Sequence, residues 1–447
     1  MRNVNFKELE PHSKSRIIEK IGEDNFTRLQ KQSFIQKDED TYHFRYVGVI
    51  IISDIVINCY PKYFPDWDEH AFKQIMRVVR KYKNTHEDMD YQNDSIEDIS
   101  FNLLSMMIFF LEDYFKHGVY TNVENILEVN GSGEVDWNRT VNNTHPIISD
   151  NRPYYIELQT RYKVNDLFDY FRLLHECIIT DASKRLEKAG LLELFDLTCA
   201  DISTKKLDDF GEKETVLRKL EKELNVEFVS QKRKLLKAMH TYIEEVNSFS
   251  NENYLTIYGT ATYHTVWEDI CRTVFSDKLN RPLKILGFSS DIKLIDIIKK
   301  PEWVLNTGKV YKTDTFRPDL VAVEGDNFII LDAKYYNLRF DENSPKNHPG
   351  LADITKQYLY ELAFRDYISA NNFSVKNALL FPKYTGRIEK IGHVKIDILQ
   401  ELDLQNIQVV MLPADLANRH YLENRKIDNL CEYLTEDKNE RVKDGTG

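Results

Sequence analysis

Val, Ile, Tyr and Phe crowd residues 41–64 (TYHFRYVGVIIISDIVINCYPKYF), with Ser53-Asp54 placed as a turn. That pattern predicts a hairpin or a pair of strands in a small sheet. The spacing then changes to three and four: Phe72, Ile75, Met76, Val78, Val79 and Tyr82 predict a helix over 70–85. His86 to Asp98 is polar and reads as a loop. Helical patterns follow at 99–117 and 164–193, separated by a loop-rich segment, Asn122 to Asn151. Residues 204–247 are heavily charged, yet Leu217, Leu220, Leu224 and Phe228 keep helical spacing. This predicts a long helix or helical hairpin, either a solvated arm or a surface on which a partner docks.

The pattern changes again near residue 251. A helix is predicted at 260–275, strands at 320–323 and 328–332, a helix at 353–370, and strands at 378–381 and 408–412. Helix, strands, helix and strand together indicate a mixed α/β domain built on a central sheet. The expected organisation is an N-terminal β-containing domain over 1–150, making partner or DNA contacts. A helical middle with its charged arm spans 151–250, the α/β domain spans 251–432, and a disordered tail follows at 433–447.

Composition narrows the class. Aromatic residues make up 12% of the 447 positions, whereas there are only 16 glycines and 12 prolines. A chain this long and this apolar supports two or three packed domains and excludes collagen-like or disordered classes. The five cysteines are far apart and form no C-x-x-C pair, so a disulfide scaffold or structural zinc site is not expected. The N-terminus has no apolar signal core, and the longest apolar run, Val47 to Ile52, is far short of the roughly 20 residues that span a bilayer. The expectation is a soluble, cytoplasmic protein.

Sixty Lys and Arg against 72 Asp and Glu give a net charge of −12, which by itself disfavours a nucleic-acid partner. The local charge is different. Residues 299–318 hold Lys299, Lys300, Lys309, Lys312 and Arg317 against Glu302 and Asp314. Residues 372–396 hold Lys376, Lys383, Arg387, Lys390 and Lys395 against Glu389 alone. The acidity is global and the basicity local, which predicts weak, salt-sensitive DNA binding by the isolated chain.

The candidate chemistry lies between these two basic stretches. In RPDLVAVEGDNFIILDAKYYN (317–337) two apolar strands flank the turn Glu324-Gly325-Asp326-Asn327. Asp319 heads the first strand after Pro318, and Asp332 and Lys334 end the second. Residues two apart on a strand share a face, so Asp332 and Lys334 project together and hairpin pairing can bring Asp319 beside them. Two carboxylates and a lysine suit Mg²⁺-assisted phosphate chemistry, because Mg²⁺ takes one or two carboxylates plus substrate oxygens. Other acid-x-Lys triplets, Asp291-Ile292-Lys293 and Glu436-Asp437-Lys438, lack the apolar strand and the hairpin. Glu268, on the preceding helix beside Trp267, is either a further ligand or the salt-bridge partner of Arg272 at i+4. Gln357, on the following helix, either bonds a phosphate or a metal-bound water or faces solvent.

This pattern resembles the PD-(D/E)xK nuclease superfamily. The resemblance implies a restriction-endonuclease-like domain with a central mixed sheet flanked by helices, Mg²⁺ (or Mn²⁺) on Asp319 and Asp332, Lys334 supporting the attacking water, and Glu268 as an added ligand. Trp267-Glu268, Gln357, Val47-Gly48-Val49-Ile50 with Pro61-Lys62, and Gly131 to Trp137 are similar to the McrC and LlaJI-like nuclease subunits of McrBC-type restriction systems. That similarity implies a cleavage subunit acting on double-stranded DNA in an oligomeric complex with a separate AAA+ GTPase of McrB type. This chain has no G-x-x-x-x-G-K-[ST] loop of its own, since Gly308-Lys309 lacks both the upstream glycine and the following hydroxyl. The alternatives are a regulatory or scaffold subunit that stimulates a partner NTPase, and a stand-alone repair nuclease.

Overall fold

The structure, a computed structural model, describes residues 1–90, 103–165, 169–246, 255–287, 290–340 and 345–434. Residues 435–447 of the expected tail, and part of the loop expected before residue 98, lie outside these; the first two tail positions, 433–434, instead end a helix, Leu430–Leu434. The chain packs as two compact units. One comprises Glu97–Ile257 with Ile52–Asp54 and Met1; the other comprises Arg2–Ile51, Ile55–Ile96 and Tyr258–Gly447. This division differs from boundaries at residues 150 and 250, because the N-terminal strands group with the C-terminal α/β region. Long-range pairing is the reason, and side-chain periodicity does not encode it. Strand Arg2–Lys7 lies parallel to Ile55–Tyr60, which adjoins Val47–Ile52. Gly48 approaches the next strand so closely that a Cβ there would meet the Tyr258 carbonyl oxygen at 2.2 Å. Only glycine allows that approach.

The helix expected at 70–85 runs over Glu69–Asp90, so its last turns occupy the start of the expected loop. It is fastened within its own unit, with Lys81 Nζ donating to Asn424 Oδ1 at 2.8 Å. In the other unit the charged stretch is a helical hairpin, Lys213–Val226 followed by Ser230–Glu245. Val216, Leu220, Leu236 and Met239 are buried, while Phe228 at the connection is 86% exposed. The same unit holds helices Leu103–His117 and Tyr170–Lys188. Among the described residues no helix is long and apolar enough to cross a membrane.

The C-terminal region is mixed α/β, as its pattern predicts. Helix α1 (Tyr263–Val274) precedes β1 (Leu320–Glu324) and β2 (Asn327–Ala333). Helix α2 (Leu351–Ala370), β3 (Ser374–Lys383), β4 (Glu389–Val394) and β5 (Ile407–Pro413) follow. The sheet order is β1-β2-β3-β5-β4. Its centre is parallel (β2 with β3, β3 with β5) and its edges are antiparallel. The central strands carry the apolar runs Phe328–Leu331, Ala378–Phe381 and Val409–Leu412, because helices pack against the sheet. Phe328 and Ile330 of β2 pack with Phe364 and Ile368 of α2. Tyr358, also on α2, packs on Leu379 and Phe381 of β3.

Candidate active site

Strands β1 and β2 pair from Glu324↔Asn327 to Leu320↔Leu331. The tight connection is made by Gly325, whose φ of 54° lies in the left-handed region. One more step along this register sets Asp319 opposite Asp332, as the spacing predicts. The Ala333 amide donates to Asp319 Oδ2 at 2.9 Å, which fastens the first carboxylate to the end of the second strand. The Lys334 amide continues the β3 pairing, donating to the Leu380 carbonyl at 2.8 Å. Its side chain therefore leaves from fixed backbone.

The Lys334 ammonium stands between two acids. Nζ lies 2.8 Å from Asp332 Oδ2 and 3.2 Å from Asp353 Oδ1. The closer contact is an ion pair to a buried carboxylate oxygen, Asp332 Oδ2. Asp353, in the first turn of α2, is absent from the sequence-based set. Its only local signal is a carboxylate near a helix N-terminus, a common feature with a sufficient explanation in the helix dipole.

Electrostatics sharpen the picture. Burial, then the neighbouring charge of Asp319, pushes Asp332 up to about 7. Asp319 is raised as well, first by burial and then by Glu268. Burial alone would lower Lys334, but Asp332 and Asp353 together hold it above its ordinary range. Two carboxylates that resist sharing a negative site are what a divalent cation relieves. Asp319 and Asp332, buried and crowded, thus fit a hard cation. Among the described residues no group of three His, Cys, Asp or Glu is gathered to hold a metal, so the fit is to a two-carboxylate site.

The two flanking residues are placed differently from each other. Glu268 sits half-buried on α1 at the margin of an apolar face that includes Trp267, Ile270 and Cys271. Its Oε2 accepts from Arg272 Nη2 at 3.2 Å, the salt bridge that i+4 spacing allows. Arg272 Nε also donates to the Asp319 carbonyl at 2.8 Å, so the same guanidinium ties α1 to the head of β1. Gln357 is fully buried. Its Nε2 reaches the carbonyls of Ile330 and Ala378 at 3.3 and 3.4 Å, bridging β2 and β3. Its amide donors are used within the sheet, a structural placement that helical spacing does not reveal.

The chain matches the family model of the LlaJI restriction endonuclease over residues 46–415 and belongs to that family. It is 30% identical over 452 residues to the Type II restriction enzyme BsuMI component YdjA of Bacillus subtilis (strain 168), a match covering 96% of this chain and 92% of that protein. Among solved structures, a chain of the refined half-complex from the tetradecameric assembly of Thermococcus gammatolerans McrB AAA+ hexamers with bound McrC aligns at 11% identity and a TM-score of 0.38, over 94% of this chain and 99% of that one. A chain of the Thermococcus gammatolerans McrBC complex aligns at 11% identity and a TM-score of 0.24, over 60% of this chain and 84% of that one.

Proposed function

We propose that this chain is the cleavage subunit of a two-component restriction system, hydrolysing DNA phosphodiester bonds with Mg²⁺ alongside a separate AAA+ GTPase of McrB type. The observation that carries the reading is the meeting of Asp319, Asp332 and Lys334 at one end of the β1–β2 pair in a member of a restriction endonuclease family. The relative's description as an enzyme component supports a divided system. Asp319 and Asp332 are assigned as metal-holding carboxylates. Bound there, Mg²⁺ supplies Lewis-acid stabilisation of the charge that builds on the phosphate. Lys334, steadied by Asp332 and Asp353, orients the attacking water and donates toward developing negative charge. Glu268 is assigned as an added ligand of the same ion, reached on rotating away from Arg272. Gln357 acts as a positioning residue through the two strands that it joins.

Purified with its GTPase partner, the chain is expected to cut duplex DNA in Mg²⁺. EDTA should abolish cutting, and either Mg²⁺ or Mn²⁺ should restore it. Full-rate cleavage in EDTA would overturn the metal assignment.

The helical hairpin supports a partner-docking role alongside cleavage. Val226, Phe228 and Val229 expose apolar surface at its connection, and such anchors dominate protein interfaces. Phe228→Asp is expected to weaken stimulation of the partner GTPase about tenfold or more, a loss of roughly 1–3 kcal/mol. Undiminished stimulation would remove the hairpin from the interface.

A further inference from the structure

A cleft of about 540 Å³ opens beside the proposed catalytic residues, and residues distant in sequence form much of its wall. Lys334 and Glu268 line one part; Arg45, Lys62 and His264 line another. All belong to the same compact unit. Lys62 Nζ lies 4.2 Å from the Tyr335 ring centroid, and Tyr335 directly follows Lys334. The buried Glu8 carboxylate fixes this neighbourhood. It accepts from the Tyr335 hydroxyl and, at 3.3 Å, from the Lys62 amide. Asn337 Nδ2 adds a bond to the Lys62 carbonyl at 3.2 Å. The segment that carries Lys62 is thus tied to the chain just past the catalytic lysine.

Burial strips solvent from the cationic groups of this cleft. Burial, with Arg45 adding to it, lowers Lys62 despite the attraction of Glu8; burial and then Lys62 lower His264. Cations that have lost part of their hydration are stabilised by an anion placed among them. A phosphate chain fits this demand because it offers a charge at every nucleotide.

We propose that Arg45 and Lys62 form a clamp for DNA backbone phosphates adjoining the scissile bond, with Glu8 as the residue that positions it. The clamp rests on the nuclease reading and extends it to the N-terminal segment. It explains how an acidic chain engages DNA at its cutting site: positive charge from residues 45 and 62 joins Lys334 in one cleft. Glu8 Oε2 accepts from both the Tyr335 hydroxyl and the Lys62 amide, so this carboxylate is engaged in positioning the clamp.

The test is duplex binding by the full-length chain in EDTA, followed by fluorescence anisotropy between about 50 and 200 mM KCl. Lys62→Met and Arg45→Met preserve the aliphatic stems and remove the charges. Together they are expected to weaken binding about tenfold or more and to lower the slope of log affinity against log salt by about 2, near one unit per phosphate contact. Lys62→Arg should keep both affinity and slope, which separates charge from packing. Wild-type affinity and slope in the double variant would overturn the clamp. Should that occur while Lys334→Ala still abolishes cutting, the nuclease reading survives alone. Absence of salt-dependent duplex binding by the wild-type chain would overturn both.

Discussion

Replacing Lys334 with alanine is expected to lower the DNA cleavage rate by about 10²–10⁴-fold, the range for removing one preorganised group from the transition state. Backbone geometry makes the effect specific to the side chain. The Lys334 amide is bonded to Leu380 and its neighbour Ala333 to Asp319, and neither bond uses the ammonium. The variant should therefore keep its circular dichroism spectrum and bind duplex within a few-fold of wild type. Asp353→Ala is expected to act in the same direction but less strongly, since Asp332 still holds the ammonium. A Lys334→Ala protein that cuts at the wild-type rate would end the catalytic assignment.

Asp332→Asn is expected to abolish cleavage while making the metal-free protein more stable at neutral pH. The folded-state pKa of Asp332 is raised to about 7 by burial and by Asp319, against roughly 3.9 in an unfolded chain. Between these values the native state holds a proton that the unfolded state has lost. The resulting stability is fully present below about pH 4 and is lost as pH rises through about 7. The wild-type melting temperature in EDTA should fall across that window, and the fall should be smaller in Asp332→Asn. At pH 7.5 the variant should exceed wild type by about 1–3 kcal/mol. Adding Mg²⁺ should raise the wild-type midpoint by mass action and leave the variant nearly unmoved. Equal pH profiles, or equal stabilisation by Mg²⁺, would remove Asp332 from the metal site.

Much of this centre is legible along the chain because it is local. Asp319, Asp332 and Lys334 lie within sixteen positions, and a two-residue turn between apolar strands leaves one register. Glu268 is legible only as an alternative: helical spacing shows the acid at the apolar margin and Arg272 four residues on, and the fold supplies the bond between them. Gln357 illustrates the opposite case. A lone glutamine two turns into a helix has no periodic signal for the face it takes, and packing on two strand carbonyls decides it. Asp353 leaves no usable signal, since a first-turn acid is an ordinary feature, and Lys62 enters the sequence only as part of the Pro61-Lys62 resemblance, with nothing that points to the site.

The domain layout shows the same limit. Apolar spacing identifies the strands at 47–60 and the helical hairpin at 213–245, because amphipathicity reports on each element alone. It cannot report that Arg2–Lys7 pairs with Ile55–Tyr60 or that Glu8 meets Tyr335. Those contacts depend on closure of long loops, which no local propensity encodes.

The amino-acid sequence by itself therefore determined the mixed α/β core and the hairpin that carries two acids and a lysine. It also determined the contrast between global acidity and local basicity. Side-chain alternation and turn chemistry act over a few residues, and that range suffices for all three. The tertiary structure alone decided that Asp353 shares the lysine and that Gln357 serves the sheet. It also decided that Glu8, Arg45 and Lys62 join the site's cleft from a segment more than two hundred residues away, because burial and charge act through space rather than along the chain.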